Sequence, residues 1–199
     1  SNGVLTNDTD ENNNTLTAIL VSDVSNGSLS LNSNGSFTYT PNVNFYGEDN
    51  FNYKPNNGII DGNVTLVTIT VNNINDAPIS SNITATTSED TKKNIALSAT
   101  DVDGDTLTYS EITQPTNGSI TISGSTATYT PNDDYNGSDS FTYKAYDGTV
   151  NSNTSTVTIT VSAVNDAPLS YNLSQTTSED NAKNITLYAS DVEGSNLTY

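Results

Sequence analysis

The side chains able to do chemistry here are carboxylates and amides, and they come in short clusters. Asp101, Asp103 and Asp105 alternate in Asp-Val-Asp-Gly-Asp, and Asp191 and Glu193 repeat the spacing in Asp-Val-Glu. Glu89 and Asp90 follow Ser88, and two Asn-Asp pairs stand at Asn75-Asp76 and Asn165-Asp166. Carboxylates and Asn carbonyls are hard oxygen donors, the set that Ca²⁺ prefers, in groups of six to eight. Carboxylates gathered at one point repel each other unless a cation intervenes. The plainer alternative is that Asp-Gly clusters form turns and that acidity keeps a surface solvated. Asp-x-Asp-Gly-Asp also opens an EF-hand loop, but the later bidentate Glu and the flanking helices are missing, which excludes that reading.

Composition narrows the partners. Five Lys against 23 Asp plus Glu give a formal charge of −18, which disfavours nucleic acid and anionic membranes. The absence of Cys and His removes disulfides, zinc-type sites and the usual thiol and imidazole of nucleophilic catalysis. Paired carboxylates serve glycosidases, but these fall on turns rather than in a cleft, so the chain reads as non-enzymatic. No apolar run approaches the ~20 residues that span a bilayer. The sequence has no Met, so it is expected to be part of a longer, exported protein.

The elements that position the clusters come from an internal repeat. Asn75-Asp76-Ala77-Pro78 returns as Asn165-Asp166-Ala167-Pro168, which sets the spacing at 90 residues. At the same spacing Thr38–Asn42 returns as Thr128–Asn132, Val67–Val71 as Val157–Val161 and Ser88–Asp90 as Ser178–Asp180. The expected organisation is a first repeat at 1–75 lacking its opening strand, a complete repeat at 76–165, and the beginning of a third at 166–199.

Within the complete repeat, apolar residues alternate with Ser and Thr: Ile95, Leu97, Ala99; Leu107, Tyr109; Ile120, Ile122; Ala127, Tyr129; Phe141, Tyr143, Ala145; Val157, Ile159, Val161. Period-two alternation means half-buried strands. With Pro78–Thr87 these make seven strands, A to G, in about 90 residues, the pattern of an all-β, Ig-like sandwich. In such a sandwich the A–B and E–F turns share one end with the exit of strand G, and the B–C and F–G loops share the other. Ser88-Glu89-Asp90, the linker Asn165-Asp166 and the loop Asp191-Val192-Glu193 are therefore expected to converge on one joint. Asn75-Asp76 and Asp101–Asp105 belong to the preceding joint, with Glu48 and Asp49 as stand-ins for the lower contribution.

Several of these motifs in fixed order carry a family likeness. Asn-Asp-Ala-Pro, Ser-Glu-Asp, Asp101-Val-Asp-Gly-Asp-Thr-Leu-Thr-Tyr109 and Asp139-Ser-Phe-Thr-Tyr-Lys-Ala-Tyr-Asp-Gly148 resemble the cadherin-like tandem repeats of large prokaryotic surface proteins. Gly3-Val4-Leu5-Thr6-Asn7-Asp8 is similar to the opening of the related VCBS-type repeat. The resemblance implies an extracellular or cell-surface stalk or fibre, neighbouring repeats as partners, roles in adhesion and biofilm, and calcium between domains. The first repeat departs from it with Thr9-Asp10-Glu11-Asn12-Asn13-Asn14, and the third with Ser195 in place of Asp105.

Asn-x-Ser/Thr sequons stand at Asn7, Asn13, Asn26, Asn34, Asn63, Asn82, Asn117, Asn136, Asn153, Asn172, Asn184 and Asn196. They are glycan acceptors in an exported protein of a glycosylating organism, or by-products of a chain rich in Asn, Ser and Thr. They leave open a glycosylated filament subunit that assembles head to tail, by strand complementation, without calcium. A carbohydrate-binding module is the third alternative; it would need exposed aromatics in repeat-specific loops, and Tyr39, Tyr129, Phe141 and Tyr143 fall on core positions.

Overall fold

The computed structural model describes residues 3–198. The chain forms two compact units, one up to Asp76 and one from Ala77 onward. Strands are the regular elements in both.

The first unit contains β1 (Thr17–Ser22), β2 (Gly27–Leu31), β3 (Phe37–Pro41), β4 (Gly47–Asn56) and β5 (Thr65–Val71). β1, β4 and β5 form one antiparallel sheet, and β2 pairs with β3 in the other. Phe51 and Tyr53 of β4 are buried, and Phe37 meets Phe51 edge-on at 5.3 Å between ring centroids.

The second unit holds β6 (Ile79–Ser80), β7 (Ile83–Ser88), β8 (Lys93–Ala96), β9 (Ala99–Thr100), β10 (Thr108–Thr113), β11 (Gly118–Ser123), β12 (Thr126–Pro131), β13 (Gly137–Tyr146) and β14 (Ser155–Ser162). One sheet runs β10-β13-β14-β7 and the facing one β11-β12-β8. Ile95, Leu97, Ile120, Ala127, Tyr129, Phe141, Tyr143, Val157, Ile159 and Val161 fill the space between them. Beyond β14, β15 (Leu169–Ser170) pairs with β16 (Ala189–Ser190).

Two of the expected strands are divided. The opening strand changes sheets at Ser81-Asn82: β6 pairs with β9, and β7 pairs in parallel with β14 over Val157↔Ile83 to Ser162↔Ser88. Strand B breaks at Leu97-Ser98: the Leu97 N–H still bonds in register to Ser125 O at 2.8 Å, whereas β9 beyond it pairs with β6. Side-chain bonds hold the first crossing: Ser80 N–H donates to Asn153 Oδ1 at 2.9 Å, Asn153 Nδ2 to Ser80 O at 3.1 Å, and Thr156 N–H to Asn82 Oδ1 at 2.8 Å.

A buried carboxylate fixes the C–D turn in each unit. Asp139, at the start of β13, accepts from Thr116 N–H and Asn117 N–H at 3.0 Å each and from the Tyr129 hydroxyl at 2.9 Å. Asp49 repeats this with Ser25 N–H, Asn26 N–H and Tyr39. Both are strand residues turned inward, so Asp49 is no ligand at the end of its repeat, contrary to the sequence expectation. The same packing explains the Asn-Gly pairs. A Cβ on Gly27 or Gly118 would lie 2.6 Å from the ring of Tyr39 or Tyr129, the tyrosine that reaches the carboxylate. Burial and the neighbouring Asp139 push the Tyr129 hydroxyl well above its ordinary value.

Loss of this staple should be costly and, for Asp49, dependent on pH. Asp139→Ala strands two turn N–H groups and a buried phenol, and should cost about 3 kcal/mol in chemical denaturation. Burial favours protonation of Asp49, but the amides of Ser25, Asn26 and Asn50 and the Tyr39 hydroxyl outweigh it and hold its carboxyl below 3.8. The stabilisation it gives is therefore complete above 3.8 and lost as pH falls through its lowered value. An acid titration followed by near-ultraviolet dichroism should show this loss for the wild type and a flatter profile for Asp49→Asn.

Candidate functional site

The lower end of the complete repeat is where the A–B turn, the E–F turn and the exit of β14 meet. Pairing Ser162 with Ser88 brings the end of β7 beside the end of β14, and Glu89 N–H donates to Ser162 O at 2.9 Å. Asp134, in the E–F turn, donates its N–H to Asp90 Oδ1 at 3.2 Å. Asp90 and Asp134 both adopt left-handed backbone, φ 55° and 56°, a conformation that Asp and Asn tolerate better than other non-Gly residues. These turns aim their carboxylates at the departing linker.

Two acidic triads result. Glu89, Asp166 and Glu193 each place a carboxylate oxygen within 4.8 Å of the others, and so do Asp90, Asp134 and Asp166. Asp166 belongs to both triads and joins the linker to the turns on either side. Its N–H donates to Glu193 Oε2 at 3.3 Å, and Asn165 Nδ2 donates to Asp166 O at 2.9 Å. Glu89 is only 2% exposed; its Oε1 accepts from Val164 N–H. Glu89 Oε2 and Asp166 Oδ2 are buried with no hydrogen-bond partner among the described residues. A buried anionic oxygen without a donor is costly. Burial, then the charges of Glu193, Asp134, Asp90 and Glu89, raise the Asp166 carboxyl above its ordinary value. Asp134 is raised by burial and by Asp90, Asp133, Glu89 and Glu193.

The structure thus brings Glu89, Asp90, Asp166 and Glu193 together with Asp134. Asp191 stands apart from both triads: its Oδ1 accepts from Ser195 N–H at 2.9 Å within its own loop, which holds its carboxyl low. Glu193, two residues on, reaches the linker instead. Asp134 was not singled out in the sequence, because the run Asn132-Asp133-Asp134 reads as an ordinary turn former with or without a ligand role.

At the upper end, Asp101, Asp103 and Asp105 of the B–C loop form a third triad within 4.8 Å. Asp101 Oδ1 accepts from Asp103 N–H at 2.9 Å and Asp105 N–H at 3.4 Å, while its Oδ2 is buried with no partner among the described residues. In the first unit, Asn75 Nδ2 donates to Asp76 O at 3.1 Å at the end of the chain segment leaving β5. Ten of the twelve sequon asparagines are exposed, and Asn26 and Asn117 are half-buried in the C–D turns. The Asn153 amide, with its bonds to Ser80, is engaged in the fold.

Residues 1–73 match the family model described as the bacterial cadherin-like domain, and residues 75–160 that of the bacterial Ig domain. These are cadherin-like, Ig-like repeats in tandem. Such domains are generally extracellular or surface-exposed and typically non-catalytic, which suggests an extracellular repeat of structural or adhesion type. Human CDH23 EC21-23 is similar at 16% identity and a TM-score of 0.65, over 92% of this chain and 75% of that one. Mouse cadherin-23 EC22-24 is similar at 21% and 0.58, over 94% of this chain and 68% of that one. At these identities the likeness concerns the fold. The endo-fucoidan hydrolase MfFcnA4 of glycoside hydrolase family 107 matches at 23% with a TM-score of 0.35, and the chain spans 24% of that enzyme, so nothing about activity follows. No curated protein matches the sequence. Among the described residues no helix is long and apolar enough to cross a membrane.

Charge repulsion among these carboxylates gives a direct test. With divalent ions chelated, Asp134→Asn removes one charge and keeps a residue suited to the left-handed turn, as Asn44 does at φ 59° in the first repeat. The midpoint of thermal unfolding of this variant should rise above that of the wild type in chelator, and calcium should reverse the order.

Proposed function

We propose that this chain is a segment of an extracellular stalk whose cadherin-like repeats are joined by calcium-stiffened hinges. The observation that carries the reading is the pair of buried, donor-less oxygens on Glu89 and Asp166, one from a turn of the sandwich and one from the linker. Hard anionic oxygens on separate segments suit a Ca²⁺ ion, which takes 6–8 oxygen ligands at flexible geometry. Glu89, Asp90, Asp134, Asp166 and Glu193 would hold it at the lower end. Asp101, Asp103 and Asp105 are the corresponding set at the upper end of the same repeat. The ion would supply positive charge where the polypeptide supplies none, and the residues on the two sides would then be tied through it, limiting bending.

The selectivity also has a physical basis. Mg²⁺ demands near-ideal octahedral geometry and sheds water reluctantly, whereas these ligands sit on two turns, a linker and a loop. Na⁺ lacks the charge to offset several carboxylates.

Thermal unfolding of the whole chain in calcium and in chelator tests the reading. Calcium at ~100 times its dissociation constant should raise the midpoint of the second unit by about 10 °C, with a smaller rise in magnesium. Glu89→Gln and Asp166→Asn should each remove most of that increment while leaving the melt in chelator the same or higher. A midpoint that ignores calcium would sink the mechanical account.

A further inference from the structure

The B–C loop occurs in three copies with one backbone pattern. Asp10, Asp101 and Asp191 each accept through Oδ1 from amides further along the loop: Asn12 and Asn14, Asp103 and Asp105, and Ser195 respectively. Each copy has a left-handed residue three positions after its aspartate, Asn13 at φ 57°, Gly104 at 79° and Gly194 at 70°. Only the compensation of the negative charge differs.

We propose that the loop of the first repeat is a calcium-independent copy, in which the side-chain amides of Asn14 and Asn57 stand where the other copies would use a cation. The inference rests on the calcium reading above for those other copies. Asn57 Nδ2 donates to Asp10 Oδ2 at 2.9 Å, and Asn14 Nδ2 donates to Asp10 Oδ1 at 2.9 Å. The orientation of Asn57 is fixed from the other side, because its Oδ1 accepts from Ile59 N–H and Ile60 N–H at 3.0 Å each. Its NH₂ group therefore faces the carboxylate. Both oxygens of Asp10 are satisfied by the protein, and Asn14 N–H first, then Asn57, hold its carboxyl below the ordinary value.

The second repeat shows what the amides replace. Ninety residues on from Asn57 stands Asp147, whose Oδ1 accepts from Thr149 N–H and Val150 N–H at 2.6 Å each in the same F–G loop. A carboxylate in that place has no N–H to offer, and there Asp101 Oδ2 is buried without a partner among the described residues. The second repeat brings four carboxylates to these positions, Asp101, Asp103, Asp105 and Asp147. The first keeps Asp10 and has Asn12, Asn14 and Asn57 at the other three. Two further acids lie in or beside that loop. Glu11 is exposed and takes the place of Val102, which is also exposed, and Asp8 is engaged by the Tyr53 hydroxyl at 2.9 Å. Calcium affinity in such loops follows the ligand charge count, so the exchange of acids for amides both removes the attraction and fills the space. Withdrawal of calcium would loosen the loop at 101–105 and leave that at 10–14 in order.

Hydrogen exchange on the whole chain, in calcium and in chelator, separates the two loops. Exchange in peptides covering 101–107 should slow about tenfold or more in calcium, while that in 9–16 should change less than about twofold. Tenfold slowing at 9–16 would overturn the proposal. Asn57→Ala should speed exchange at 9–16 about tenfold in both solutions, with calcium giving no rescue and β4 protection unchanged as the control for folding. Unchanged exchange in that variant would overturn the amide cap whatever calcium does. A lack of response at 101–107 would instead count against the calcium reading itself, leaving the Asn57 result to decide the cap.

Discussion

A carboxylate taken out of water must find compensating positive charge, and this chain has almost none to give. Among the described residues one ion pair forms, between Lys54 and Asp61, against a formal charge of −18. Two other solutions are visible. Backbone amides and a tyrosine hydroxyl surround Asp49 and Asp139 and turn a liability into the clamp of the C–D turn. Side-chain amides surround Asp10. For Glu89, Asp101 and Asp166 the described residues leave one oxygen each unanswered. The contrast between satisfied and unsatisfied acids, rather than their number, distinguishes scaffold from site.

Much of the fold was legible because a sandwich repeats its own period. The alternation along 141–145 and 157–161 placed Phe141, Tyr143, Val157, Ile159 and Val161 in the core, where they are buried. The divided strands were not legible: the crossing at Ser81-Asn82 depends on the amide of Asn153, which meets Ser80 from 73 residues away, and no local pattern announces it. The site was legible at the level of segments and not of atoms. Spacing brought the Ser-Glu-Asp turn, the linker and the Asp-Val-Glu loop to one end, yet Glu193 rather than Asp191 reaches Asp166, because the first acid of the loop is consumed by its own backbone. Asp49 and Asp134 show the same limit from opposite sides. Both are acids near the E–F turn, and only the direction of the side chain, inward from a strand or outward from a left-handed turn, separates the staple from the member of an acidic triad.

The shared fold of the repeats makes their differences informative. Asn57 and Asp147 hold equivalent F–G loops by the same pair of acceptor bonds, so either residue folds the loop. What changes is the second polar atom of the side chain, a donor in one and an acceptor in the other. A single amide-to-acid exchange at such a position can alter what the end of a repeat attracts without altering the fold that presents it.

The parallel pairing of β7 with β14 has a mechanical meaning. The two strands lie next to the segments that enter and leave the repeat, and they point the same way. Tension between those segments slides β7 along β14, loading the bonds between Ile83–Ser88 and Val157–Ser162 together instead of opening them one at a time. A sandwich wired in this manner resists stretching in shear.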